Sequence, residues 1–182
     1  MKKKFLAVAI LIVSMLAVGC SNTQDLGMSF EEFKEKYNEN VRREGLPSEY
    51  LIRRDNILHL RMNEDVSIID CNFPDFMLTI WTNSKSNRII SVEVRNRRDT
   101  NPDFLKLSYM FPFVAMLFDS KWESLEYAET QIPKICKEGK VYKNGDYLFY
   151  YEEGIKNTDG YEVKSFNISS SFFYNTYTKK SK

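Results

Sequence analysis

Apolar positions change their spacing several times along the chain, and each change marks an element. Phe30, Phe33, Tyr37 and Val41 recur at helical spacing on one face, and Ser29 with Glu32 forms a capping box at the start of that segment. Gly45, followed by Pro47, predicts its end, with Arg42 and Arg43 complementing the last carbonyls. From Tyr50 the period becomes two. Leu58, Leu60 and Met62 are expected to face a core, and Ile57, His59 and Arg61 to face outward. Residues 66–71, 75–81 and 88–95 continue as an antiparallel meander, in which Phe76, Leu78 and Ile80 share a face with Ile90, Val92 and Val94.

Asn101-Pro102 predicts a second helical start. The run from Tyr109 to Phe118 is apolar throughout apart from the Tyr hydroxyl, and Pro112 inside it predicts a kink or a break. Ser120 and Glu123 form another capping box, opening a helix with Trp122, Leu125, Ile132 and Ile135 on one face and Pro133 threatening its continuity. Beyond Gly139, Asn144-Gly145 marks a hairpin, Tyr147, Phe149 and Tyr151 alternate with Leu148 and Tyr150, and residues 161–174 add one or two strands. The order helix, strands, helices, strands predicts an α+β fold. Its antiparallel sheet is a meander after an N-terminal helix, two or three helices pack on one face, and a Tyr-rich hairpin closes the chain.

The N-terminus obeys a different logic. Met1-Lys2-Lys3-Lys4 precedes Phe5 to Val18, a stretch whose only polar residue is Ser14. It falls short of the roughly 20 residues a spanning helix needs, and its charge-then-apolar order is that of an export signal. Leu16-Ala17-Val18-Gly19-Cys20 resembles the lipobox of bacterial lipoproteins, with Ala17 where Leu is most often found. The resemblance implies cleavage before Cys20, a thioether-linked diacylglycerol on Cys20, and attachment to the extracytoplasmic side of the cell membrane. Two acyl chains hold a domain on a bilayer where one is marginal. The expected organisation is a signal peptide over 1–19, a lipidated tether over 20–27 and one extracytoplasmic α+β domain over 28–182.

Composition narrows the function classes. The 182 residues carry 26 Lys plus Arg against 25 Asp plus Glu, and cleavage removes three lysines to leave a net charge of −2. A nucleic-acid partner needs a basic surplus, so that class is set aside. One His excludes a His-cluster metal site, and the seven Gly contain neither a phosphate loop nor a dinucleotide fingerprint. No metal, cofactor or catalytic constellation is expected. Asp70, Cys71 and Asp75 around Asn72-Phe73-Pro74 read as turn chemistry, and Glu123 with Glu126 as a solvated helix face. Setting Cys20 aside leaves Cys71 and Cys136, which either bridge in an oxidising compartment or stay as two buried thiols.

Two groups remain as candidate binding surfaces. Arg95, Arg97 and Arg98 form the densest cationic cluster, and Tyr147, Tyr150, Tyr151 and Tyr161 spread amphipathic rings over adjacent strands. The expected function is therefore a membrane-anchored lipoprotein whose domain binds a protein, peptide or envelope polymer rather than catalysing a reaction. The alternatives are a small envelope hydrolase, or an assembly factor for a membrane complex. Exposure along Tyr109 to Phe118 would mark the last of these.

Overall fold

The Ser29 hydroxyl accepts the Glu32 amide at 3.3 Å, and the Glu32 carboxylate accepts the Ser29 amide at 2.7 Å. This closed capping box starts α1, Phe30–Arg43, which stops before Gly45 at φ +66°. The computed structural model describes residues 25–61, 64–97, 104–138, 141–156 and 162–178. After two 3₁₀ turns the chain forms β1 (Ile57–Arg61), β2 (Val66–Asn72), β3 (Met77–Asn83) and β4 (Ile89–Arg95). Then come α2 (Phe104–Ala115), a 3₁₀ turn at Ser120–Glu123, and α3 (Leu125–Glu138). A second meander follows, β5 (Tyr142–Asn144), β6 (Tyr147–Lys156) and β7 (Glu162–Ser170), and the short helical turns from Ser171 to Thr178 close the described chain.

The seven strands lie in the order β1-β2-β3-β4-β7-β6-β5, every neighbouring pair antiparallel. Two meanders thus meet at the β4–β7 pair, and α2 and α3 are the excursion between them. The molecule is an α+β fold with its helices on one face, as the element order predicts. Register sets that face: Cys71, Leu78, Val94 and Phe166 form one cross-strand row, and Ile69, Ile80, Val92 and Ile168 the next. The helices seal it with rings. Phe33 of α1 stacks on Phe118 at 6.0 Å, Tyr37 meets Phe113 edge-on at 5.5 Å, and Phe111 of α2 stacks on Phe166 at 4.9 Å.

Several expectations need correction. In β1 the faces are reversed: Ile57 and His59 pair with Cys71 and Ile69 on the helix side, while Leu58 and Leu60 are 51% and 38% exposed on the other. An edge strand with aliphatic residues on both faces carries no alternation strong enough to choose between them. A bulge between Trp81 and Thr82 makes Ile89, not Ile90, the core residue, and Ile90 joins Val66, Trp81 and Phe173 on the opposite face. Pro112 and Pro133 interrupt neither α2 nor α3. The capping box at Ser120 does not form. Asp119 accepts the Lys121 amide at 3.2 Å to cap a single 3₁₀ turn, and the α3 start is capped by Ser124 Oγ, 3.3 Å from the Tyr127 amide. The helix start at Asn101-Pro102 lies outside the described residues.

The expected tether is partly docked. Leu26 is buried, its amide donates to the Ile89 carbonyl at 2.6 Å, and Arg88 reaches the Gly27 carbonyl at 2.6 Å.

Candidate functional site: a cavity among three helices

The helix side of the sheet is not filled to its edge. Between the C-terminal end of α1, the outer face of α2, and α3 lies a cavity of about 890 Å³. Helical periodicity explains why α2 contributes to it: Leu107, Phe111 and Val114 are buried beneath the helix, which leaves Tyr109, Phe113 and Met116 to line the cavity. Trp122 reaches it from the 3₁₀ turn. That ring is 2% exposed and held edge-on by Phe111 at 5.2 Å and Tyr127 at 5.3 Å. Ala128 and Ile132 of α3 and Leu46 beyond α1 complete an apolar wall, with the flexible Met110 and Met116 able to repack around an occupant. Tyr109 of the lining is 79% exposed, and Leu105, one turn earlier on α2, is 76% exposed.

Two prolines within helices stand at the cavity. Pro112 and Pro133 each lack the amide that would bond four residues back, so the carbonyls of Ser108 and Glu129 lose their α-helical donors. Ser108 and Pro112 both line the cavity, as do the exposed Glu129 and Pro133. At the mouth, the Arg43 guanidinium is paired with Glu44 at 2.9 Å. Glu123 and Glu129 are exposed and form no ion pair among the described residues. Among the described residues, three buried side-chain polar atoms have no hydrogen-bond partner: Tyr37 Oη, Arg95 Nε and Trp122 Nε1. Of their residues, Trp122 is the one that lines the cavity.

The candidate surface residues do not assemble into one surface. Strand alternation turns Tyr147 and Tyr151 toward the helix-side core and Tyr150 to the opposite face, where its hydroxyl meets Ser169 Oγ at 3.0 Å. Tyr151 donates to Glu153 at 2.9 Å, and burial together with that carboxylate pushes its pKa up. Tyr161 and Arg98 lie outside the described residues, as does Cys20. Arg95 is turned inward, its Nη2 lying 3.6 Å from Asp70 Oδ1, which also accepts Thr79 Oγ1 at 2.7 Å. Arg97 is half-buried at the end of the same strand.

Cys71 and Cys136 are free thiols, so the bridge weighed from their even number is not formed. Topology separates them: Cys71 sits on β2, whereas Cys136 packs near Tyr151 and Glu153 of β6. Four strand spacings lie between β2 and β6, about 19 Å, far beyond disulfide reach. Burial pushes the Cys71 thiol up to about 12 and the Cys136 thiol up to about 11, which keeps both protonated near neutrality. Asp70 and Asp75 are also apart. Asp75 is held on the helix side by the Tyr50 hydroxyl and by Lys106 at 2.6 Å, and these hydrogen bonds keep its carboxyl below the usual range.

Among the described residues no group of three or more His, Cys, Asp and Glu is placed to hold a metal ion, and no helix is long and apolar enough to cross a membrane. The signal for the cavity was present in the sequence as two prolines inside helical patterns. Read as threats to continuity, they instead stand within two continuous helices, each among the residues that line the same space. No protein-family model matches the chain, and no match was found among curated proteins or solved structures.

Proposed function

We propose that the chain is an exported lipoprotein, anchored through diacylglycerol on Cys20 to the extracytoplasmic side of the cell membrane, whose α+β domain is a binding module working at the three-helix cavity. The anchoring half of this reading rests on the triple-Lys head, the apolar stretch and the lipobox-like Leu16 to Cys20. The binding half rests on the cavity of about 890 Å³, a volume within the range that small ligands occupy. The cavity opens beside the C-terminal end of α1, whereas the tether enters before its N-terminal end. The 14 residues of α1 hold these ends about 20 Å apart, which keeps the mouth away from the point of anchoring.

The exposed ridge of Leu105 and Tyr109 beside the mouth supports a second reading, in which the same face docks on a membrane complex. For the hydrolase alternative, the protonated Cys71 offers no ready nucleophile. The anchoring claim is tested by growing cells on radiolabelled palmitate. The native chain is expected to take up label and sediment with membranes, and Cys20→Ala to do neither. Equal labelling of the two, or a native chain recovered in the cytosol, would overturn the reading.

A further inference from the structure

The two edges of the sheet are not equally protected. At one edge β5 is three residues long, carries the exposed Lys143, and is tied to Asp119 through Asn144. Short edge strands and lysine keep an edge from pairing with another chain. At the other edge β1 has five residues, Ile57-Leu58-His59-Leu60-Arg61, without Pro, Lys or a bulge, and no strand lies beyond it among the described residues. Successive side chains of a strand point to opposite faces, yet Leu58, His59 and Leu60 are all exposed. Neither α1 on the helix side nor any described residue on the other face roofs this edge.

The segment around β1 is complementary to itself. Antiparallel pairing of two β1 strands that uses all five residues puts a twofold axis at His59. Leu58 then lies opposite Leu60 of the second copy, twice, which gathers on one face four leucine side chains that are 51% and 38% exposed in the single chain. The same symmetry acts on charge. Arg54 stands three residues before the strand and Glu64 three residues after it, both exposed and neither in an ion pair among the described residues. Antiparallel pairing brings the Arg54 end of each strand to the Glu64 end of the other, whereas a parallel alignment would set like charges together. Arg53 and Asp65 repeat this order one residue further out, each held within its own chain by an exposed pair, to Asp55 at 3.6 Å and to Lys85 at 2.7 Å.

We propose that two copies of this chain pair antiparallel through β1, Leu58 against Leu60 and the Arg54 end against the Glu64 end, to form a closed dimer with one continuous sheet. The edges left at its two ends are the short β5 strands, so pairing stops at two copies. None of the residues that line the three-helix cavity belongs to β1, so the dimer stands apart from the proposed binding function.

Cysteine crosslinking tests both the pairing and its register. The full chain carrying His59→Cys, Leu58→Cys or Leu60→Cys is oxidised with copper phenanthroline, in cells and after purification, and the mass of each product is measured. Opposed residues of an antiparallel pair have Cα atoms about 4.5–5.5 Å apart, within disulfide reach. Two copies of position 58, or of position 60, are offset along the strands to about 8 Å, beyond that reach. His59→Cys is therefore expected to yield a species of twice the chain's mass about tenfold faster or more than Leu58→Cys or Leu60→Cys alone. A mixture of purified Leu58→Cys and Leu60→Cys chains is expected to crosslink one to the other. Added to His59→Cys, Arg54→Glu or Glu64→Arg should slow the reaction several-fold, and the two together should restore it. All of these side chains are exposed, so the replacements leave the fold in place.

A His59→Cys product that forms no faster than the Leu58→Cys product would overturn the inference. So would a product whose mass shows another protein in place of the second copy, or a double charge reversal as slow as the single ones.

Discussion

On its helix side the sheet carries the row Cys71, Leu78, Val94 and Phe166, all buried; on the same strands the opposite face carries Asp70, Thr79, Glu93 and Asn167 in one cross-strand row. The first face is closed by three helices and packed with rings. The second is closed mainly by its own side chains: Thr79 donates to Asp70, Arg95 pairs with Asp70, Asn167 donates to Ser165 at 3.1 Å, and Ser91 and Ser169 meet at 2.6 Å. Apolar side chains flank this row, Leu58 and Leu60 on β1 and Leu148 and Tyr150 on β6, and at one end Phe173 tilts over Trp81 at 5.4 Å beside Val66 and Ile90. The contrast teaches where recognition belongs. On the polar face the side chains pair with one another, whereas the helix face ends in a cavity.

If the helix side supplies the stability, its centre should be the most sensitive point. Phe111→Ala removes the ring between Phe166, Trp122 and Phe149 and should cost about 4 kcal/mol, read as a lowered urea midpoint. On the polar face the largest loss should come from Asp70→Ala, which takes one member from a buried ion pair and should cost about 3 kcal/mol by the same measurement. A loss at Asp70 larger than at Phe111 would invert the comparison.

Glu93 sharpens the comparison through pH. Desolvation raises its carboxyl pKa against the opposing pull of Arg95. The folded state therefore holds this proton more tightly than the unfolded state. The associated stability is complete below the unfolded pKa and is lost as pH rises through the folded one. Glu93→Gln, which mimics the protonated form, should match the parent near pH 4 and exceed it in melting temperature at pH 8. Equal melting temperatures at both values would mean that the carboxylate is comfortable on this face. The smallest effect is expected from Ser91→Ala, which removes a neutral hydroxyl pair and should cost about 1 kcal/mol.

How much of this was legible in the residues differs between elements. The start of α1 was, because Ser29 and Glu32 are local and sufficient for a cap. The hairpin at Asn144-Gly145 was also legible, because a positive φ at Gly145 is a local requirement. The faces of β1 were not: Ile57 opposes Cys71 because of pairing with β2, which residues 57–61 do not encode. Tyr147, Tyr150 and Tyr151 are adjacent in sequence and invited reading as one surface, yet period-two alternation divides them between faces. The cavity needed both helices at once. Neither Pro112 nor Pro133 identifies a site until tertiary packing sets them about a common space.

The central claim is that this domain meets its ligand at the helix side and not at the polar sheet face. The most direct test places the photo-crosslinking residue p-benzoylphenylalanine at Tyr109, exposed at the cavity rim, or at Leu58, exposed on the opposite face, in the full chain on intact cells. After irradiation the mass of the recovered protein is measured. A discrete adduct at position 109 that disappears when Met116→Trp is added, with none at position 58 except a second copy of the chain, is the predicted result. A ligand adduct at position 58 alone, or one at 109 that is indifferent to Met116→Trp, would contradict the account.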